Sequence, residues 1–309
     1  MTTLKPPFET LVQPYGLDTV ARAAELIADG QCVAVPTETV YGLAADATNA
    51  KAVAGIYAAK GRPSFNPLIV HVRDLAAAER VAVFNDAARA LAKQYWPGPL
   101  TLVLPLRPDS GIASLVTAGL PTIALRVPAH PTMQALLSAT GKTLAAPSAN
   151  ASGRISPTRS AHVIKSLGGQ IPLIIDAGST EIGLESTIVA IDADGILRLL
   201  RSGPVDLGLS LAASGPIEAP GQLASHYAPA KPLRLDAIIA EPGEWLIGFG
   251  DVPGDDSLSV CGDLIEAAAR MFDALHEADA SERPRIAIAP IPQAGLGVAI
   301  NDRLKRAAA

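Results

Sequence analysis

The chain has few aromatic residues and almost no cysteine. Its 309 residues include five Phe, five Tyr, two Trp and two Cys. So few rings leave little surface for stacking nucleobases, which argues against a broad nucleic-acid-binding surface. The two cysteines, Cys32 and Cys261, lie far apart in the sequence and therefore support neither a disulfide framework nor a metal cluster. We expect both to be buried thiols.

Long apolar runs are also missing, although 49% of the residues are apolar. No run approaches the roughly 18 to 20 residues that a membrane-spanning helix needs. The first residues lack the apolar region of a signal peptide. These features predict a cytoplasmic protein with no membrane partner.

The net charge of −5 is unevenly distributed. Residues 1–231 carry 18 Lys and Arg against 17 Asp and Glu, whereas residues 232–309 carry 7 against 13. The front part can therefore hold a local cationic pocket, while the acidic end would repel a nucleic-acid backbone.

Hydrophobic periodicity predicts helices interspersed with strands up to about residue 200. Helices are expected at 18–30, with Asp18 as the N-cap, and at 49–59, 86–96, 131–139 and 158–167. Strands are expected at 32–35, 68–72, 100–104, 122–127, 143–146, 172–176, 186–191 and 196–200. This pattern predicts an α/β fold with a twisted, mixed, open sheet covered by helices.

A second, smaller unit is expected after a Gly- and Pro-rich stretch. Strands at 233–235, 245–249 and 286–289, a helix at 263–278 and a last helix from near Gly297 predict a small Rossmann-like α/β domain. The sequence thus divides into a catalytic domain (1–206), a connector or lid (207–231) and a C-terminal domain (232–309).

Three polar segments lie beside predicted strands: Pro36–Leu43, Lys60–His71 and Ala146–Asn150. Open α/β sheets bind their ligands at strand ends, so these segments can converge on one site. Their mixture of cations and neutral donors suits a small phosphorylated ligand. The familiar nucleotide-binding motifs are absent, because no Gly-rich loop ends in Gly-Lys-Ser or Gly-Lys-Thr.

Each candidate residue also has a simpler interpretation. Lys60 and Arg62 could be a solvated helix end, and His71 could be a core histidine. Arg126 interrupts an apolar strand, where a guanidinium needs either a bound carboxylate or an internal Asp or Glu. His226 and Tyr227 could be ordinary connector residues.

Six ordered motifs together resemble the YrdC-like family in its long, two-domain form. They are Pro36–Leu43, Lys60–Pro63 with Asn66–His71, Trp96–Thr101, Ala146–Asn150, Glu185–Ile188 and Ser225–Pro229. The resemblance covers nearly the whole chain. One departure is Ser202, which follows Arg201 where the family usually has proline.

The resemblance implies that L-threonine, bicarbonate and ATP are converted to threonylcarbamoyl-AMP and pyrophosphate, for threonylcarbamoyladenosine modification of tRNA. By motif position it implies threonine contacts at Thr37, His71, Arg126 and Ser186. It implies ATP contacts at Lys60, Arg62, Asn66, Thr117, Ser148, Asn150, Arg201 and Tyr227. Mg²⁺ is expected on the phosphates, no residue is an evident covalent nucleophile, and no metal ligand is assigned. The product would pass to the tRNA threonylcarbamoyl transferase machinery.

Two other functions stay open. A non-catalytic RNA-binding module could use the same basic concave surface, with weak RNA binding. A carbamoyl transferase or hydrolase of the same fold would accept carbamoyl phosphate instead of threonine. If the chain is the synthase, the acidic C-terminal domain is expected to act through the connector and to supply no catalytic group.

Overall fold

The protein is described by a computed structural model that covers residues 7–212, 218–221 and 225–309. Within these ranges the strands form a ten-stranded mixed sheet and a separate four-stranded sheet. The predicted α/β class, with a large mixed sheet and a smaller second unit, is confirmed.

The large sheet holds most of the strands that precede the connector. They are β1 (Leu11–Pro14), β2 (Val33–Pro36), β3 (Tyr41–Asp46), β4 (Ile69–His71), β5 (Leu100–Pro105), β6 (Thr122–Arg126), β7 (Leu144–Ala145), β8 (Leu173–Asp176), β9 (Thr187–Ile191) and β10 (Leu197–Arg201). Their spatial order is β1-β8-β2-β3-β7-β4-β6-β5-β9-β10. Strand β4 pairs parallel with β6 and antiparallel with β7, which makes the sheet mixed.

Helices cover both faces of this sheet. They are α1 (Leu17–Ala28), α2 (Ala50–Lys60), α3 (Leu75–Val81), α4 (Asp86–Tyr95), α5 (Ser114–Thr117), α6 (Pro131–Thr140) and α7 (Ser160–Leu167). Successive residues of a strand point to opposite faces. Accordingly, Val33 and Val35 belong to the cluster with Ile27 and Leu136 of α1 and α6, whereas Ala34 belongs to the cluster with Ile56 of α2. Both faces of the central strands are therefore buried.

Some local predictions were wrong. Helix α1 begins at Leu17 with Gly16 as its N-cap, so Asp18 lies in the first turn and is not the cap. Strand β3 was not predicted, because its run of small apolar residues is buried on both faces and shows no alternation. Cys32 is buried as expected, but Cys261 is exposed.

The C-terminal unit contains a parallel sheet with two helices. Its elements are β11 (Leu233–Arg234), β12 (Glu244–Gly248), β13 (Asp256–Ser257), α8 (Leu264–Ala280), β14 (Arg285–Ile288) and α9 (Leu296–Ala307). The strand order is β11-β14-β12-β13, and every pair is parallel. Across the described ranges, no helix is long and apolar enough to cross a membrane.

The two units share one apolar core. Val40, Ile155 and Leu184 from the first unit cluster with Met271 and Phe272 of α8. Tyr227 of the connector belongs to the same cluster. The C-terminal unit is therefore packed against the large unit as well as joined to it through the chain.

Cutting the chain after Lys231 should uncover this shared core. Complete exposure of a large apolar side chain costs about 1.5 to 3 kcal/mol, and several are covered by α8. We expect the 1–231 fragment to have a lower urea midpoint than the full chain, measured by circular dichroism. Equal midpoints would contradict a shared core.

Candidate active site

One cavity collects most of the polar segments that the sequence singled out. It lies where the β2–β3 turn, the ends of β4, β6 and β10, the entry to β9 and the connector meet. Its lining residues are Thr37, Thr39, Val40, Gly42, Arg62, Ile69, His71, Arg126, Ala146, Pro147, Ser148, Glu185, Ser186, Arg201, Pro220, Gly221, His226 and Tyr227. Eight of the twelve predicted ligand-binding residues are in this set.

Arg126 ends β6 with an internal acid as its partner. Its Nη2 lies 2.6 Å from Glu38 Oε1, its Nη1 donates to Thr39 Oγ1 at 2.9 Å, and its Nε donates to the Gly98 carbonyl at 3.1 Å. Burial opposes ionisation of Glu38, but the charge and hydrogen bond of Arg126 prevail and lower the pKa of this carboxyl. Of the two explanations for a guanidinium in this strand, the structure shows the internal acid. Because arginine has five N–H donors, a bound carboxylate can still be added.

His71 is a neutral side chain on the cavity wall. Burial, followed by the nearby charge of Arg126, lowers the pKa of His71 to about 3. Its Nδ1 is buried and has no hydrogen-bond partner among the described residues. The imidazole is therefore suited to a neutral hydrogen bond with a ligand and is a poor base near pH 7.

Ser186 links two strands at the base of the cavity. Its Oγ is 2.7 Å from Thr101 Oγ1 of β5 and accepts from Arg201 Nη2 at 3.1 Å. Arg201 at the end of β10 also donates from Nε to the Ser186 carbonyl at 3.0 Å. These bonds fix the direction of the Arg201 side chain.

Arg62 and Arg201 differ from Arg126 because neither forms an ion pair with a carboxylate within the described ranges. Arg62 donates from Nε and Nη2 to the carbonyls of Asn66 and Pro67. Burial lowers the pKa of Arg62 to about 10, so it remains protonated at neutral pH. Buried charges are costly unless they are compensated. The two guanidinium groups therefore form the part of the cavity best suited to an anion.

Four predicted ligand-binding residues do not line the cavity. Lys60 is buried beneath it and donates from Nζ to the carbonyls of Ser148 and Asn150, so it braces the turn that carries Ser148. Burial, together with the charge of Arg62, lowers the pKa of Lys60 well below its usual value. The Asn150 side chain donates to the carbonyls of Ala151 and Arg154.

Asn66 and Thr117 also lie away from the lining. Asn66 accepts from Arg62 through its carbonyl, and both side-chain amide atoms are buried without a partner among the described residues. Thr117, in α5, donates to the Ser114 carbonyl. Direct contact of these four residues with a ligand remains a prediction.

The connector closes one side of the cavity. Tyr227 is 1% exposed and has a positive φ of 65°. A Cβ atom at Gly221 would lie 2.8 Å from the Tyr227 hydroxyl and 3.0 Å from Arg201 Cδ, so this close approach requires glycine. Residues 213–217 and 222–224 of the predicted connector lie outside the described residues.

Sequence reasoning missed three charged residues: Glu38, Glu185 and Arg303. Glu38 and Glu185 both stand inside recognised motifs, next to residues that were chosen. Arg303 lies in α9 of the C-terminal unit and forms a buried ion pair with Glu185, with Nε 3.0 Å from Oε2. Arg303 contacts a residue of the cavity wall but does not line the cavity, so the expectation that the C-terminal unit supplies no catalytic group stays a prediction.

Two family models match consecutive parts of the chain. A Sua5/YciO/YrdC model, described as telomere recombination, matches residues 25–203. A model of the threonylcarbamoyl-AMP synthase C-terminal domain matches residues 191–309. The chain belongs to the Sua5/YciO/YrdC family. The resemblance seen in the sequence motifs is thereby confirmed.

Individual members of the family are similar over nearly the full length. Threonylcarbamoyl-AMP synthase of Bacillus subtilis is 42% identical over 94% of this chain and 92% of its own length. The protein of that name from Pyrococcus abyssi is 36% identical over 92% of both. The crystal structure of P. abyssi Sua5 complexed with L-threonine superposes with a TM-score of 0.85, at 34% identity and 97% coverage of both chains.

Acid should destabilise the fold through its buried histidines. Burial lowers the pKa of His71 and of His226 to about 3, from 6.5. As the pH falls below 6.5, the unfolded chain binds protons that the folded chain does not, so the free energy of unfolding decreases. Each histidine contributes up to about 1.4 kcal/mol per pH unit.

Urea unfolding between pH 7 and 5 measures this slope before Glu38 and Glu185 titrate. His162 and His276, whose pKa values are lowered to about 3 and about 4, act in the same direction. A His226→Asn variant should show a smaller slope than the parent. An unchanged slope would mean that His226 binds protons equally in the folded and unfolded chains, which would contradict the lowered pKa.

Proposed function

We propose that this chain is an L-threonylcarbamoyladenylate synthase, which converts L-threonine, bicarbonate and ATP to threonylcarbamoyl-AMP and pyrophosphate. The observation that carries the proposal is a single cavity lined both by the buried cations Arg62 and Arg201 and by Arg126 with His71. One side can take a polyphosphate and the other an amino acid. The names of the similar proteins from B. subtilis and P. abyssi support the same reaction.

The amino-acid side consists of Thr37, His71, Arg126 and Ser186. Arg126 offers its remaining N–H donors to the threonine carboxylate, while Glu38 and Thr39 hold the guanidinium in place. The neutral His71 offers Nδ1 for a hydrogen bond to the substrate. These contacts orient the threonine amine toward the centre of the cavity.

The nucleotide side consists of Arg62, Ser148, Arg201 and Tyr227. The two arginines stabilise negative charge on the phosphates. The hydrogen bonds from Arg201 to Ser186 hold the Arg201 guanidinium in place, so this side chain reorganises little when the ligand binds. Lys60 and Asn150 act from beneath the surface through the backbone carbonyls to which they donate, and Asn66 acts through its own carbonyl, which accepts from Arg62. Among the described residues, the hydrogen bond of Thr117 to the Ser114 carbonyl gives no support to a nucleotide role.

The reaction joins three substrates in two steps. The threonine amine adds to the carbon of CO₂ and loses a proton, or adds to the carbon of bicarbonate with loss of water, and in both cases forms a carbamate. A carbamate oxygen then attacks the α-phosphorus of ATP, and the bond from this phosphorus to the β-phosphate oxygen breaks, releasing pyrophosphate. The AMP moiety stays in the product, which makes the enzyme a nucleotidyltransferase. Positioning and neutralisation of the leaving group supply most of the rate gain.

We treat Mg²⁺ as a part of the ATP substrate. The described residues contain no group of three or more His, Cys, Asp or Glu side chains placed to hold a metal. The two buried carboxylates at the cavity, Glu38 and Glu185, are both paired with arginine and fit poorly as metal ligands. A phosphate-bound Mg²⁺ would neutralise charge together with Arg62 and Arg201.

The product is a mixed anhydride that water can hydrolyse. In this proposal the connector, through Tyr227, excludes water from the site. The threonylcarbamoyl group then passes to tRNA through a downstream transferase, in the cytoplasm where ATP and tRNA are available. Direct but weak RNA binding would assist this transfer.

The test uses purified full-length protein with ATP, L-threonine, Mg²⁺ and ¹⁴C-bicarbonate. We expect pyrophosphate release that depends on threonine, and labelled threonylcarbamoyl-AMP in a 1:1 ratio to pyrophosphate. Salt-sensitive RNA binding without turnover would support an RNA-binding module. Turnover of carbamoyl phosphate without threonine would support a carbamoyl transferase.

Removal of a phosphate-side cation should impair the reaction strongly. Arg62→Ala is expected to lower kcat/KM for ATP by about 2 to 4 kcal/mol of transition-state stabilisation. Arg73→Ala is the matched control, since Arg73 is exposed and, among the described residues, forms an ion pair with its neighbour Asp74. Equal pyrophosphate release by the two variants would contradict the role of Arg62.

Serine should be a poor but measurable substrate. One methyl group in a pocket contributes about 1 to 3 kcal/mol to discrimination. We therefore expect kcat/KM for serine about 10- to 200-fold below that for threonine, from initial rates of pyrophosphate release. Equal rates for the two amino acids would show that no contact recognises the methyl group.

A further inference from the structure

Arg303 of α9 is the largest fully buried side chain of the C-terminal unit, at 0% exposure. Its Nε lies 3.0 Å from Glu185 Oε2, and its Nη1 lies 3.0 Å from Asp302 Oδ2. Glu185 belongs to the cavity wall, 118 residues earlier in the chain. A side chain of one unit therefore determines the charge environment of a cavity in the other.

Glu185 is a buried anion that stands between two cations. It directly precedes Ser186, and its Oε1 accepts a hydrogen bond from Ser156 at 2.5 Å. Burial opposes its ionisation, but the charges of Arg303 and then of Arg201 lower the pKa of this carboxyl. Glu185 is thus ionised, and Arg303 is its direct partner.

The hydrogen bonds of Arg201 go elsewhere. They reach the carbonyl and hydroxyl of Ser186 and the carbonyl of Pro220, and none goes to Glu185. If Arg303 were uncharged, Arg201 would be the remaining cation close to Glu185. Attraction between these two would then compete with any anion that Arg201 binds.

Arg303 also contacts the connector. Its guanidinium carbon lies 5.5 Å from the centroid of the Tyr227 ring, within the range of a cation–π contact. In the next turn of α9, the Arg306 carbonyl accepts a hydrogen bond from the His226 backbone N–H at 3.1 Å. The same helix therefore holds both the acid and the aromatic ring that border the cavity.

We propose that Arg303 is a positioning residue for phosphate binding: it neutralises Glu185 and supports Tyr227, which leaves the charge of Arg201 available to the ligand. The identification of the ligand as ATP rests on the proposed function. Arg303 itself does not line the cavity, so it acts through Glu185 and Tyr227. The C-terminal unit would in this way control nucleotide affinity.

The test compares Arg303→Met, Glu185→Gln and the double variant by calorimetric titration with Mg–ATP, with pyrophosphate and with L-threonine. Arg303→Met should weaken ATP and pyrophosphate binding about 10- to 100-fold, within the usual range of coupling between sites. Threonine binding should change less than about 3-fold, because three of its four proposed side chains, Thr37, His71 and Arg126, make no hydrogen bond or ion pair with Glu185 or Arg201 in the described part of the chain. In turnover assays the loss should fall mainly on KM for ATP.

The double variant separates charge from packing. Removing both members of the pair leaves no uncompensated carboxylate beside Arg201, so we expect it to bind ATP at least about 5-fold more tightly than Arg303→Met. Arg303→Lys, which keeps the charge, should bind more tightly than Arg303→Met. The control is Arg270→Met, which breaks the Arg270–Asp256 pair inside the C-terminal unit and should leave affinity unchanged.

Several results would overturn the inference. One is an ATP affinity of Arg303→Met equal to that of the parent. Another is an ATP affinity of the double variant no higher than that of Arg303→Met. The third is a double variant that shows no cooperative transition on heating. Binding is measured without turnover, so the two proposals can fail separately. If the parent chain binds ATP but makes no threonylcarbamoyl-AMP, the proposed reaction is refuted. The ratios of ATP affinity between parent and variants would still test the role of Arg303.

Discussion

Burial of arginine charge around one cavity is the constraint on which the rest of the site depends. A buried guanidinium is costly unless oxygen atoms surround it. Arg126 is compensated by Glu38, and Arg303 is compensated by Glu185. Arg62 and Arg201 are held by carbonyl and hydroxyl oxygens without a direct carboxylate partner in the described ranges. This imbalance gives the cavity its capacity for an anionic ligand.

The fold supplies these positions through strand ends. Strands β4 and β6 run parallel, with His71 paired to Arg126 in register, so both side chains reach the same edge of the sheet. The ends of β10 and the entry to β9 bring Arg201 and Ser186 together through an antiparallel pair. The connector closes another side of the cavity, and α9 contacts the cavity wall through the Glu185–Arg303 pair. In this chain the C-terminal unit thus supports the site without lining it.

Local patterns in the sequence predicted the fold class and the convergence of polar segments well. Periodicity locates helices and strands, and strand ends are where α/β sheets carry ligands. The same reasoning could not decide whether an internal acid or a ligand balances Arg126. It also could not show that the Lys60 Nζ donates to the carbonyls of Ser148 and Asn150. The Glu185–Arg303 pair joins positions too far apart for any local pattern to reveal.

The central claim is that Arg62 and Arg201 hold a polyphosphate while Glu185 stays paired with Arg303. A crystal structure of the full chain with L-threonine, Mg²⁺ and a non-hydrolysable ATP analogue tests it most directly. The account predicts phosphate oxygens within hydrogen-bonding distance of both guanidinium groups, the threonine carboxylate at Arg126, and an intact Glu185–Arg303 pair. Phosphates bound away from Arg62 and Arg201, or Glu185 paired with Arg201 in the complex, would contradict it.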